Sequence, residues 1–192
     1  MKIYDISADI FTAPHYDDDP DPMYKWLRRI SDGSEYNLSL IGMTPHSGTH
    51  IDAPLHYIED GTSAGDIELE KCCGSCTVVT LSGVLTGEDM DRLLPHCSKR
   101  LIIKGGGKAS LELSAARVLT DYDMMLVGID AVSIAFDDWE ESVHRELLSK
   151  GTLILENLDL SGIRDGEYML CALPLKLSNV EASPVRAVLI AK

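Results

Sequence analysis

Three of the six histidines fall within the segment His46-Ser-Gly-Thr-His50-Ile-Asp52-Ala-Pro-Leu-His56. With Asp52 they occupy even positions only, and on an extended chain even positions share one face. One stretch of backbone can therefore aim three imidazoles and a carboxylate into one cavity. These are preferred ligand types for zinc, manganese or iron. A helical H-x-x-x-H is the competing geometry, and it fails. Gly48 and β-branched Thr49 sit inside the pair, Pro45 and Pro54 flank it, and no Glu follows the first His. A straight strand fits imperfectly, since it would hold His46 and His50 about 13 Å apart at ~3.3 Å per residue. The chain is predicted to bend between them, at Gly48. The alternative is a set of surface or core-satisfied histidines.

A second segment is needed to close such a site. His144 lies beside the apolar stripe of a predicted helix, Asp138–Leu148. In that helix Trp139, Val143 and Leu147 recur at i, i+4, i+8, Asp137 or Asp138 can cap the start, and Gly151 stops the run. Glu156 ends the apolar run Thr152–Leu155. A carboxylate there costs desolvation unless hydrogen bonds or a cation compensate. Taken alone, His144 and Glu156 are equally readable as ordinary residues.

Several β-branched and apolar runs must position these groups. Predicted strands are Ile3–Ile10, Asn37–Ile41, Thr77–Leu81, Leu101–Lys104, Met124–Ile129, Thr152–Leu155, Tyr168–Leu173 and Val185–Ala191. Helices are predicted over Pro22–Ile30, Glu88–Leu94, Leu111–Leu119 and Asp138–Leu148. Strands interleaved with fewer helices argue for a mixed α/β domain with a substantial sheet. No repeat or linker divides the chain, so residues 1–192 are read as one domain.

Composition narrows the partners. The formal charge of −14 repels nucleic acid and anionic lipid. No apolar run approaches the ~20 residues of a membrane span. The N-terminus has acids where an export signal has its apolar core, so a cytoplasmic home is expected. Asp17-Asp18-Asp19-Pro20-Asp21-Pro22 reads as a loop, either a solvated turn or a loop near an active site. Cys72-Cys73-Gly-Ser-Cys76 contains a C-x-x-C. It has no second pair to make a zinc ribbon, and it runs into a strand rather than opening a helix, so buried apolar roles are expected. Gly105-Gly-Gly107 lacks phosphate-loop spacing, and Ser133 lacks nucleophile-elbow glycines.

The residues 46–56 resemble the H-x-G-T-H-x-D-x-P-x-H signature of the cyclase-like metal-dependent hydrolases, a family that includes bacterial-type kynurenine formamidases and isatin hydrolases. Asp5-Ile-Ser7, Gly128-Ile-Asp130-Ala-Val-Ser133, Leu173-Pro-Leu-Lys176 and Ser183-Pro-Val-Arg186-Ala-Val-Leu189 resemble further family segments. The resemblance implies an α/β fold around a mixed, barrel-like sheet flanked by helices, assembled as a homodimer or homotetramer. It implies that His46, His50 and Asp52 bind one metal ion. It also implies that Asp52 bridges to a second ion held with His144 and Glu156, and that His56 is the catalytic histidine. The implied cofactor is one or two Zn2+, with Mn2+ an alternative, and the substrate is a small molecule. Family members commonly carry aromatics after the strand Leu101–Lys104. Here that region is Gly105-Gly-Gly-Lys-Ala-Ser-Leu, and Tyr24 and Trp26 are the candidate stacking surfaces.

The chemistry these residues suit is hydrolysis of a small amide or cyclic amide by a metal-activated water, with His56 moving the proton. Two readings stand beside it. One is a cyclase or a lactone or cyclic-ester hydrolase. The other is a metal-binding protein without catalysis.

Overall fold

The β-branched and apolar runs of the predicted strands become, in space, one sheet with a covered face on each side. The computed structural model of the chain describes residues 1–191. In chain order the elements are β1 (Lys2–Asp5), β2 (Met23–Arg28), β3 (Leu38–Gly42), β4 (His50–Asp52), α1 (Leu69–Cys72), β5 (Cys73–Thr80), β6 (Gly83–Leu85) and α2 (Gly87–Leu93). There follow β7 (Arg100–Lys104), β8 (Ala109–Leu111), α3 (Leu113–Asp121), β9 (Leu126–Ile129), α4 (Glu140–Ser149), β10 (Leu153–Glu156), β11 (Gly166–Cys171), β12 (Ala182–Pro184) and β13 (Val188–Ala191).

Nine strands form the main sheet in the order β1-β13-β11-β5-β7-β9-β10-β4-β12. The centre, β5-β7-β9-β10, is parallel, and the flanking pairs are antiparallel. Parallel neighbours require crossovers, and α2, α3 and α4 lie in them. Leu101, Ile103, Val127, Ile129 and Ile154 face these helices, packing on Met90, Leu119, Val143 and Leu147. The alternate residues Ile102, Leu126 and Leu155 face the other way, onto Ile6, Ile51, Val78 and Leu189. β7, β9 and β10 are thus buried on both faces, which is why each reads as a continuous apolar run. The sheet curls. The amide of Asp159, beyond β10, donates to the carbonyl of Ile6, beyond β1, at 3.0 Å, and Ser7 bridges Leu158. This is the mixed, barrel-like α/β architecture expected.

Two local expectations need correction. Pro22–Ile30 is not a helix: Met23–Arg28 is strand β2, paired antiparallel with β3 apart from the main sheet. Lys25 and Leu27 tolerate a helix, but β3 offers a pairing partner, and Tyr24 and Trp26 favour the pleated surface. The start of α4 also differs. Asp137–Trp139 form a single 3-10 turn, no side chain caps the helix, and Trp139 is exposed while Val143 and Leu147 are buried.

Candidate metal centre

β4 is three residues long, and it is held on both sides. His50 pairs with Glu156 of β10 and Pro184 of β12, and Asp52 pairs with Ile154 and Ala182. Ile51 enters the interior core, so His50 and Asp52 point together to the opposite face. The register therefore sets His50 directly across from Glu156. Gly48 has φ +66°, and a Cβ there would meet the Ile10 backbone at 3.0 Å. The bend predicted at Gly48 is present, and it swings His46 back over Asp52. Beyond β4, Pro54 starts a single 3-10 turn that ends at His56.

The six sequence-predicted residues converge. Ligand atoms of His46, His50 and Asp52 lie within 4.8 Å of one another, as do those of Asp52, His144 and Glu156. Asp52 is common to both groups. Its Oδ1 lies 3.1 Å from His46 Nδ1 and 3.4 Å from His50 Nε2, and its Oδ2 lies 3.8 Å from His144 Nε2. Glu156 is 3.3 Å from His50 Nε2 and 3.4 Å from His144 Nε2. The His56 ring lies 4.4 Å from that of His46 and 6.0 Å from that of His144.

Backbone groups orient these side chains. His50 Nδ1 bonds the Gly48 carbonyl at 2.9 Å, and His144 Nδ1 bonds the Glu140 carbonyl at 2.7 Å. A carbonyl can only accept, so Nδ1 carries the proton in each ring and Nε2 faces the cluster. That is the arrangement metal-binding histidines use. Glu156 Oε1 accepts from the Ile134 amide at 2.6 Å.

The donor set fits a divalent cation. His50, Asp52, His144 and Glu156 are all buried, and His50 Nε2 and both Asp52 oxygens have no hydrogen-bond partner. Orphaned buried polar atoms are costly, and a cation satisfies all of them at once. The electrostatics agree. Burial, the largest influence on His50 and His144, opposes their charging, but Glu156 and Asp52 outweigh it and push both imidazoles up to about 9. Burial likewise raises Asp52, yet the neighbouring histidines hold it far below the usual carboxylate range. Burial and Asp52 raise Glu156, and His144 and His50 bring it below its ordinary value. The acids thus attract positive charge, and a metal would compete with protons for the same nitrogens.

The cluster opens on a cavity of about 180 Å³, lined by His15, Tyr16, Asp19, His46, His50, His56, Tyr57, Val132, Ser133, Glu140, His144 and Glu156. Larger clefts exist, such as the one of about 430 Å³ near Lys71 and Gly151, but neither ligand cluster lies in it. The site is marked by its chemistry rather than by its size.

The family model described as "Putative cyclase" matches residues 4–135. A kynurenine formamidase of Delftia acidovorans is 35% identical, over 98% of this chain and 97% of that protein. The chain belongs to the cyclase family. A solved structure of a predicted metal-dependent hydrolase from Bacillus stearothermophilus is 30% identical, with a TM-score of 0.84, over 98% of this chain and 97% of that one. Isatin hydrolase A from Labrenzia aggregata shares the fold at 19% identity, with a TM-score of 0.84, over 100% of this chain and 94% of that one.

Within this cyclase-family site, several lining residues were not singled out from sequence. Tyr16 and His15 lack any pattern of their own. Asp19 belongs to the acidic proline-rich loop, which proves to border the cavity. Ser133, no hydrolase nucleophile by its surroundings in sequence, is a buried wall residue in the G-x-D-x-x-S segment. Tyr57 stacks on His144 at 4.8 Å. Tyr24 and Trp26 do not line the cavity; they lie on β2, against Phe11 and Arg29. Asp130, in the same segment as Ser133, accepts the amides of Gly105, Gly106 and Gly107 at 2.8 to 3.3 Å, so the glycine run is a loop folded onto a carboxylate.

Proposed function

We propose that this protein is a metal-dependent hydrolase of a small amide or cyclic amide, with an arylformamide of the N-formylkynurenine kind as the leading substrate. One observation carries the reading: two ligand clusters sharing Asp52, with unpartnered buried atoms, open onto a small cavity beside His56. The named activities of the relatives support the bond type. His46, His50 and Asp52 would hold one ion, and Asp52, His144 and Glu156 a second, with zinc or manganese suited to such ligands. When bound, a cation of this kind supplies a nucleophilic water at neutral pH and polarises a carbonyl.

The chain's own residues do the rest. Burial, the first influence on His56, holds its imidazole below the ordinary value despite Asp52. His56 is thus neutral at pH 7, able to take a proton on a ring nitrogen and return it to the departing amine nitrogen. Burial also raises Tyr57 to about 12 and Tyr16 higher still, so both phenols stay protonated as donors at the cavity wall. Tyr57 holds the His144 ring face to face.

The reading extends to a single domain over residues 1–192, a cytoplasmic enzyme and a homodimer or homotetramer. The hairpin β2–β3 supports assembly: Met23, Tyr24, Trp26, Leu27, Leu40 and Ile41 are all exposed. Contiguous apolar patches of this kind mark interfaces.

The test is turnover of N-formylkynurenine, isatin and a simple lactone by protein stripped with chelator and then reloaded with zinc or manganese. Metal-dependent release of formate from the formamide is expected to be the fastest reaction. Metal binding with no turnover of any acyl substrate would leave a binding protein. A preference for the lactone would move the protein to cyclic-ester chemistry.

A further inference from the structure

The C-x-x-C of the sequence suggests Cys73 and Cys76 as partners, but the strand forbids it. Both lie on β5, three residues apart, so their side chains point to opposite faces. Cys76 is buried in the interior core and Cys73 is exposed. Cys72, the last residue of α1, is buried with Cys76.

The cysteine that does face Cys73 comes from the far side of the sequence. In the antiparallel pair β5–β11, Cys73 is directly opposite Cys171. The next pair out, Cys72 and Ala172, is joined by a backbone hydrogen bond of 3.0 Å from the Ala172 amide to the Cys72 carbonyl. Hydrogen-bonded and non-hydrogen-bonded pairs alternate along an antiparallel ladder, so Cys73 and Cys171 form a non-hydrogen-bonded pair, the kind with Cα atoms about 4.5 Å apart. That spacing falls within the range a disulfide spans. Directly opposed residues of an antiparallel pair send their side chains to the same face of the sheet, so the two thiols are cross-strand neighbours. Cys171 is half-buried, so each of the two is open to solvent to some degree.

We propose that Cys73 and Cys171 are a redox-modification site on the outer face of the sheet, closing to a reversible cross-strand disulfide by exchange with a small-molecule disulfide of the oxidised-glutathione class. The more exposed Cys73 reacts first. Its thiolate attacks one sulfur of the reagent, the reagent's S–S bond breaks, and one thiolate leaves. The Cys171 thiolate then attacks Cys73 Sγ, breaking the mixed disulfide and releasing the second thiolate. The two protons lost by the cysteines end on the two released thiols, so the protein is oxidised by two electrons and the reagent is reduced by two. Burial, then the neighbouring Cys73, raises the Cys171 thiol, which disfavours it as the first attacker. Burial pushes Cys72 and Cys76 up to about 12, which keeps them out of the exchange.

Folded protein is incubated with oxidised glutathione, quenched by alkylation and examined by intact mass and non-reducing peptide mapping. The expected product is lighter by two hydrogens, carries a peptide joining Cys73 to Cys171, and reverts with dithiothreitol. Its thermal midpoint rises, because the bond closes a long loop in the unfolded chain. Cys73→Ser and Cys171→Ser are each expected to stop at a glutathione adduct on the remaining cysteine of the pair. The proposal is overturned if wild-type protein keeps a glutathione adduct on Cys73 without bridging, stays fully reduced, or bridges Cys73 to Cys72 or Cys76. The mapping is read on wild-type protein, so it does not depend on either variant folding.

Discussion

His50, Asp52 and Glu156 stand on neighbouring strands of the nine-stranded sheet, locked in place by ladder hydrogen bonds. His15, Tyr16 and Asp19 reach the same cavity from a loop, held by side chains that are remote in sequence. Asn157 Nδ2 donates to the Pro14 carbonyl at 2.7 Å, and the Tyr16 hydroxyl donates to Glu140. The floor carries orphaned charge at fixed spacing, whereas the strap brings one protonated phenol, Tyr16, to the wall. The difference assigns tasks. A rigid floor suits ions whose coordination tolerates little displacement, while a loop wall can adjust to the outline of a substrate.

The largest effect should come from the residue shared by both clusters. Asp52→Asn keeps size and removes the charge common to both clusters. Metal content, measured by mass spectrometry, is expected to fall to background, and turnover with it. A variant that keeps both would show that the floor is not a metal site. Next comes His56→Ala. It is expected to retain metal but lose about 10²- to 10⁴-fold in kcat, the usual contribution of general acid–base catalysis. Full activity with metal bound would remove His56 from the proton path.

The same contrast explains what the sequence discloses. The floor was legible because its geometry is local: positions 46, 50, 52 and 56 share parity, and Gly48 is the one residue among them built for a bend. His144 and Glu156 were readable as ligands mainly through the family resemblance, since a histidine on a helix and a glutamate after an apolar strand are ordinary alone. The sheet followed from continuous apolar runs such as Leu101–Lys104, because strands covered on both faces leave that pattern. β2 did not follow. Its pairing with β3 is a tertiary choice, and exposure on both faces erased the alternation that would have marked it. The strap was half legible: its acidic run left a loop near an active site as one of two readings, but not what holds it. What fixes Pro14 is an amide 143 residues away, and no local spacing encodes that. Buried apolar roles were expected of Cys72, Cys73 and Cys76; Cys72 and Cys76 have them, but Cys73 is exposed, and its cross-strand neighbour Cys171 is too remote in sequence for local spacing to disclose.

Tyr16→Phe tests the wall and has the smallest expected effect. It deletes one hydroxyl and with it the bond to Glu140, while Asn157 still ties the strap at Pro14. A single hydrogen bond contributes about 0.5–1.5 kcal/mol net, so roughly a factor of two to ten is at stake. If the wall shapes binding while the floor performs chemistry, that loss appears in KM, with kcat and metal content nearly unchanged. Limited proteolysis between Asp17 and Asp21 should quicken, since the strap has lost one of its two anchors. A fall in kcat as deep as that of His56→Ala would erase the division of labour, because the phenol would then be acting on the reacting atoms.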